Sequence, residues 1–341
     1  MQQQPTYHPR LDLVETERGI KLIKDTFERR LAAVLRLQRV SAPKYLEYGD
    51  GVQDDLAGTQ EPVRFHVEHT ENPIEMVHSL AKWKRAALAR YRFTPGTGLY
   101  TDMDAIRKDE HLDETHSHYV DQWDWELIIR REQRTLAVLR DIVEKIYSVL
   151  REVEGIVQQE FPALEARLPE RITFVHTQDL EDEYPDLSPA ERENRAAERY
   201  GAFFLRGIGG RLRSGSAHDL RAADYDDWIT EVEPGRAGLN GDIIVYDATR
   251  AKALELSSMG IRVDAESMRR QLREAGREER LEMDFHRGVV GGRLPLTVGG
   301  GLGQSRICML LLQKLHIGEV QVSVWPKEMR EAYGARGAVF L

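Results

Sequence analysis

Residues 99–126 read LYTDMDAIRKDEHLDETHSHYVDQWDWE. Two runs within it, Leu99–Arg107 and Ser117–Trp125, have strand character and flank the polar connection KDEHLDETH. So short a link suits antiparallel neighbours, because a parallel pair needs a crossover of about a dozen residues or more. In the second run Gln122 and Asp124 share one face and Trp123 and Trp125 the other, since side chains alternate along a strand. An amide and a carboxylate on one face can hold an ammonium group. An amphipathic strand with a solvated polar face is the alternative.

Working outward, Ile20, Ile23, Phe27, Leu31, Val34 and Leu35 recur at helical steps and predict a helix over about Glu17–Leu37. A short β-like run at Arg39–Pro43, a Gly/Asp-rich loop at Gly49–Gly58, a strand at Val63–Val67 and a helix at Lys82–Tyr91 follow. A long helix is predicted over Glu126–Phe161. Further strands are expected at Ile172–His176, Ala202–Arg206, Asp242–Tyr246, Ala253–Ser257 and Val320–Trp325. Further helices are expected at Pro189–Tyr200, Ala265–Ala275, Glu278–Arg287 and Gly303–Leu315. Several neighbouring strands lack a helical crossover, which argues for a largely antiparallel sheet with helices around it. No Pro/Ser-rich linker divides the chain, so one domain is expected over 1–341: an extension at 1–16, a core at 17–326 and a tail at 327–341.

The chain has 341 residues, 41% hydrophobic, with 48 Lys+Arg against 57 Asp+Glu for a net charge of −9. That composition excludes wholesale disorder and disfavours nonspecific binding to nucleic acid or to an acidic membrane surface. No apolar run approaches the roughly 18 residues of a membrane helix, and Met1–Arg10 lacks a secretion-type apolar stretch, so a cytoplasmic location is expected. The single Cys308 can form neither an intramolecular disulfide nor a multi-cysteine metal site. Its setting, RICMLLL, is that of a packing thiol.

Three motifs carry candidate chemistry. TVGGGLGQSR (297–306) runs glycines into an apolar helix; glycines admit close backbone approach and a helix N-terminus favours anions. The dinucleotide spacing fails, because Arg306 stands at the third glycine position, and the P-loop lysine is missing. The alternative is a packing turn with a surface arginine. GDIIVYDATRAKALELSSMGIRVD (241–264) places Asp242 in one strand and Glu255 in the next. Paired as a hairpin, they can share a divalent ion with oxygen ligation, which suits magnesium; a structural ion pair is the alternative. Arg262 can clamp a carboxylate in a bidentate fork. VHSLAKWKR (77–85) clusters Lys82, Lys84 and Arg85 beside Ser79. Asp54 and Asp55, and the run HDLRAADYDDW (218–228), read by default as solvated loop charges.

Together these signals resemble the catalytic core of class II aminoacyl-tRNA synthetases, in the aspartate-type branch. The strings GDGVQDDLAG, EMVHSLAKWKR, GLYTDM, YVDQWDWE, RYGAFFLRGIGG, DLRAADYDDW, GLNGDIIV, ELSSMGIRVDA and GGGLGQSR more closely resemble the ammonia-dependent aspartate–ammonia ligase family, asparagine synthetase A, over about Gly19–Pro326. Only the two ends, Met1–Arg10 and Lys327–Leu341, depart from it. The resemblance implies an α+β fold with a mostly antiparallel (mixed) sheet of about eight strands flanked by helices. It implies a homodimer that converts L-aspartate, ATP and ammonia to asparagine, AMP and pyrophosphate through a β-aspartyl-adenylate, with Mg2+. No nucleic-acid or membrane partner is expected.

By that match Arg107 holds the α-phosphate, and Arg306, Arg221, Gly300 and Gly301 meet the rest of ATP. Asp242 and Glu255 bind magnesium. Lys84 and Arg262 recognise substrate carboxylate, and Gln122 and Asp124 the α-ammonium. Ser79, Ser258, Asp54 and Asp226 complete the pocket, with Asp54 or Asp226 orienting or deprotonating incoming ammonium. A glutamine-dependent enzyme needs a reactive cysteine near its start, and residue 2 is Gln, so free ammonia is the expected nitrogen source. A tRNA synthetase and a ligand-sensing paralogue without turnover are the competing readings; no anticodon-binding domain of roughly 100 residues fits ahead of the core motifs.

Overall fold

The computed structural model describes residues 7–49, 51–54, 56 and 60–341. Met1–Thr6, Asp50, Asp55 and Ala57–Thr59 lie outside the described residues, and with them part of the predicted 49–58 loop. Eight strands form the main sheet: β1 (Leu37–Arg39), β2 (Gly98–Ile106), β3 (Tyr119–Ile128), β4 (Thr173–His176), β5 (Ala202–Arg206), β6 (Asn240–Asp247), β7 (Lys252–Ile261) and β8 (Thr297–Gly303). Their spatial order is β1-β2-β3-β8-β7-β6-β5-β4. Only the two edge pairs, β1 with β2 and β4 with β5, are parallel; the five inner pairs are antiparallel, giving the α+β mixed sheet expected. The helices are α1 (Leu13–Leu35), α2 (Ala81–Arg90), α3 (Leu136–Glu160), α4 (Thr177–Glu183), α5 (Pro189–Tyr200), α6 (Ala265–Glu274), α7 (Asp284–Val290), α8 (Gln304–Leu311) and α9 (Lys327–Ala335).

The alternation of β3 divides the sheet into an apolar and a polar face. Trp123 and Trp125 join Ile243, Val245, Met259, Ile261, Val298 and Leu302 in one core with α1, α3 and α8. Phe27 of α1 stacks on Trp123 at 4.7 Å. Cys308 is fully buried in this core, as its sequence setting implied. Gln122, Asp124 and Glu126 occupy the opposite face, against which α2 lies.

Three expectations are corrected. The long helix does not begin at Glu126: β3 runs to Ile128, and α3 starts at Leu136 with Thr135 as its cap. Pairing of Glu126 and Leu127 with Gly299 and Val298 outweighs the local helical pattern. The glycine-rich 297–303 segment, read as glycines leading into a helix or as a packing turn, is the strand β8, between β3 and β7. Val320–Trp325 is irregular rather than a strand; Gln321 and Trp325 turn inward, while Val322 and Val324 are exposed with no strand partner among the described residues.

The tail also differs from a loose end. The His316 ring packs against Trp325, Tyr333 and Phe340 at centroid distances of 4.8, 4.5 and 4.7 Å. The Leu341 N–H donates to the Gly318 carbonyl at 2.9 Å. Burial pushes the His316 pKa down from 6.5 to about 4. Between those values the unfolded chain binds a proton that the native state refuses, so stability falls as pH drops from 6.5 toward 4. Urea unfolding across this window is expected to show a falling midpoint, and His316→Gln to flatten part of that slope. An identical slope in the variant would count against this account.

Candidate functional site

The polar face is built on an absence of side chains. In β8, Gly299 lies opposite Glu126, Gly301 opposite Asp124 and Gly303 opposite Gln122. A Cβ on Gly301 would come within 2.4 Å of Gln122 Oε1 and 2.9 Å of Asp124 Oδ1, and one on Gly299 within 1.9 Å of Glu126 Oε2. At these two positions glycine lets polar side chains of β3 lie across the neighbouring strand, a role in the sheet rather than around a phosphate.

Beyond β8, Ser258 of β7 pairs with Gly301, and Asp242 of β6 pairs with Ser258. A β-bulge interrupts this register: Ile243 faces Ser257, but Ile244 faces Glu255. The extra residue reverses the alternation of β7. Leu254 and Leu256 therefore enter the apolar core, and Glu255 joins the polar face.

Two contiguous chambers open over this face. The inner one, about 90 Å³, is lined by Asp54, Ser79, Lys84, Asp124, Asp226, Arg262 and Gly300. The outer one, about 430 Å³, is lined by Arg221, Glu255 and Arg306, with Thr115 and His116. Arg107, Gln122, Tyr225, Ser258 and Gly301 border both. Every sequence-predicted site residue except Asp242 lines one chamber or the other; Asp242 lies behind the outer one, ion-paired to Arg221.

Fixed charges dominate the inner chamber. Lys84 Nζ donates to Asp124 Oδ1 and to the Gly300 carbonyl, each at 2.8 Å. Burial holds the Lys84 ammonium below its usual pKa even though Asp124 opposes the shift. Arg262 donates from Nε and Nη2 to Glu126 at 3.0 and 2.8 Å and from Nη1 to Asp226. Burial raises the Asp226 pKa, with Arg262 opposing it. Ser79 Oγ donates to Asp54 Oδ2 at 2.5 Å. Arg107 Nη2 donates to the His78 carbonyl at 3.3 Å.

In the outer chamber Arg306 Nη1 donates to the Glu255 carbonyl at 3.1 Å and to its carboxylate at 3.4 Å. Arg221 bonds Asp242 and lies 2.8 Å from Asp219. Burial and the charge of Glu255 raise the Asp242 pKa well above the usual range. Burial works the same way on Glu255, but Arg306 and Arg221 hold it below its ordinary value. Asp242 Oδ1 is buried with no hydrogen-bond partner among the described residues. Two carboxylates with an orphaned oxygen fit a hard cation whose shell is completed by other oxygens. No cluster of three or more His, Cys, Asp or Glu able to hold a metal occurs among the described residues.

Glu126 was missed by sequence reasoning although it continues the two-residue alternation of Gln122 and Asp124; ending the strand at Trp125 hid it. Tyr225 and His116 were missed too, the first inside an acidic run and the second inside a polar connection.

A model of the aspartate–ammonia ligase family matches residues 14–337. The chain belongs to the aspartate–ammonia ligase family. A relative so named from Clostridium perfringens (strain SM101) is 53% identical over 324 residues, spanning 95% of this chain and 94% of its own. Another from Bacillus cytotoxicus is 50% identical over 326 residues, 96% of this chain and 97% of its own. The chain is therefore an enzyme of this ligase family, which supports synthesis of asparagine from aspartate. Asparaginyl-tRNA synthetase from Pyrococcus horikoshii, solved with asparaginyl-adenylate, superposes with a TM-score of 0.64 at 14% identity, covering 91% of this chain and 70% of its own. Aspartyl-tRNA synthetase from Entamoeba histolytica gives 0.63 at 15% identity, covering 90% and 57%. At such identities the likeness is one of fold: that of class II aminoacyl-tRNA synthetases.

Gly299→Ala is expected to destabilise this ligase by about 1–3 kcal/mol, because the added methyl meets the Glu126 carboxylate. Gly155→Ala, within helix α3 where an added Cβ meets nothing within 4 Å, is expected to stabilise it by about 0.5–1 kcal/mol. Denaturant titration reads both, and effects of the same sign would refute the packing argument.

Proposed function

We propose that this ligase joins ammonia to the side-chain carboxyl of L-aspartate through a β-aspartyl-adenylate, releasing AMP and pyrophosphate. The observation that carries the reading is the shared wall of the two chambers. A small charged chamber suits an amino acid, a larger one a nucleotide, and Arg107, Gln122 and Ser258 stand where the two ligands would meet. The Pyrococcus neighbour, of the same fold, was solved with an aminoacyl-adenylate, the class of intermediate proposed here.

In this reading Asp124 and Gln122 hold the α-ammonium, while Lys84 and Arg262 meet substrate carboxylate. Glu126 keeps Arg262 in place from behind. A carboxylate is a poor acyl donor until its oxygen becomes part of a leaving group. The aspartate side-chain oxygen attacks the α-phosphorus of ATP, the bond to pyrophosphate breaks, and the mixed anhydride forms. Arg107 neutralises charge building on the α-phosphate, and Arg221, Arg306, Gly300 and Gly301 complete the nucleotide contacts. Ammonia then attacks the activated carbonyl, the C–N bond forms, and AMP leaves as the C–O bond breaks. The proton released from nitrogen passes to Asp54 or Asp226, both at the inner chamber. No enzyme nucleophile takes part, so catalysis consists of positioning and charge stabilisation.

Asp242 and Glu255 are the residues that would hold Mg2+; when bound, it supplies charge neutralisation for the phosphates. A cytoplasmic homodimer without nucleic-acid or membrane partners belongs to the same reading. No helix among the described residues is long and apolar enough to cross a membrane.

Purified protein given aspartate, ATP and ammonium is expected to yield asparagine and AMP in equal amounts, and none with glutamine as sole nitrogen donor. Formation of ADP, or aspartate-dependent charging of tRNA in place of asparagine, would overturn the proposal. Arg107→Ala should lower kcat by about two to three orders of magnitude with the fold retained; near-normal turnover would remove Arg107 from its role. Burial pushes the Cys308 thiol up to about 12, so iodoacetamide at neutral pH should leave native protein unmodified and ammonium-dependent activity intact. Rapid alkylation with loss of activity is the contrary result.

A further inference from the structure

The connection between β2 and β3 carries Thr115 and His116 into the outer chamber, and something outside the chamber holds it there. At its middle, Glu114 accepts from Tyr333 Oη of α9 at 3.0 Å and from Lys252 Nζ at 2.7 Å. The Glu114 carbonyl accepts from the Ile317 N–H at 2.9 Å. Ser117 Oγ and Ser323 Oγ lie 3.1 Å apart. Residues 316–323 and Tyr333 thus hold the middle of a connection whose residues Thr115–Ser117 line the outer chamber.

The grip reaches Arg306. Beside Glu114, Asp113 accepts from the Thr115 N–H at 2.7 Å, the His116 N–H at 2.9 Å and His116 Nδ1 at 2.9 Å. His116 Nε2 lies 3.0 Å from Arg306 Nη2. A guanidinium only donates, so Nε2 accepts and the ring proton sits on Nδ1, facing Asp113. Hydrogen bonds, joined through the main chain between Glu114 and Asp113, therefore link Tyr333 to His116 and Arg306.

We propose that residues 327–341 clamp the β2–β3 connection, and that Tyr333 is a positioning residue for the nucleotide through this path. The inference rests on the ATP reading of the outer chamber. It gives a role to a segment expected to depart from the family, although the family match runs on to residue 337. Tyr333 is half-buried, and burial together with Glu114 pushes its phenol up to about 12, so it remains a donor at neutral pH. The aromatic packing of His316 against Trp325, Tyr333 and Phe340 anchors the other side of the clamp.

Tyr333→Phe removes one hydroxyl and keeps the ring packing. Hydrogen exchange over 107–118 and the separate KM values for ATP and aspartate test it. Exchange should quicken in that segment, and KM for ATP should rise about three- to tenfold, the scale of one lost hydrogen bond, with KM for aspartate unchanged. Tyr7→Phe removes a 3.2 Å bond to Glu319 in the same corner without touching Glu114, and should change neither readout. Unchanged exchange in Tyr333→Phe overturns the clamp. Faster exchange with KM for ATP unmoved, or with both KM values raised alike, overturns the positioning role. If wild-type protein makes no asparagine, the ATP reading fails while exchange still decides the clamp.

Discussion

Arg262 is buried between Glu126 and Asp226, and the organisation of the site depends on that arrangement. Its partners come from different places: Glu126 from β3, across β8, and Asp226 from the 218–228 segment that covers the polar face. The reach from β7 to β3 passes over Gly299, where any side chain would block it. Two carboxylates and a guanidinium in a dry site are costly unless nearly every donor and acceptor is matched; losing one partner from such a set removes about 3–5 kcal/mol. The arrangement therefore gives the sheet one register and one covering loop. The proposed chemistry needs that definition, because catalysis by positioning tolerates little error in where a carboxylate and a phosphate meet.

The two chambers differ in how their charges are satisfied. Lys84, Asp124 and Arg262 of the inner one are already bonded to protein, so an entering amino acid meets a preformed lattice of charges. In the outer one Arg306 and Arg221 rest against Glu255 and Asp242, carboxylates that on the proposed reading give them up when phosphates arrive. On that reading the inner chamber is organised for recognition and the outer for exchange of partners.

Much of the site was legible because its residues lie in short, dense strings. HSLAKWK, YVDQWDWE, DYDD and ELSSMGIR each place two or more site residues within a few positions, and the structure brings these strings to the same two chambers. The sheet was legible where alternation was strong, as in Ala202–Arg206, whose bounds are those expected. What was not legible is pairwise. The glycines of β8 have a purpose only when β3 lies beside them. Glu126 looked like a helix start because the sequence after it is helical, and only its partner strand shows where β3 ends. The 327–341 segment offered no motif, since its contacts are single bonds to distant residues.

The bulge at Leu256 makes the chemistry of β7 a matter of parity. Every position from Lys252 to Glu255 takes its side of the sheet from one unpaired residue. Flattening the bulge with every residue kept would exchange the places of Glu255 and Leu256, putting a carboxylate in the core and a hydrocarbon in the site without altering any side chain. Deleting Leu256 itself would leave Glu255 opposite Ile244, still on the polar face. The strand can thus lose its extra residue and the bulge together and keep its carboxylate in place, but it cannot lose the bulge alone.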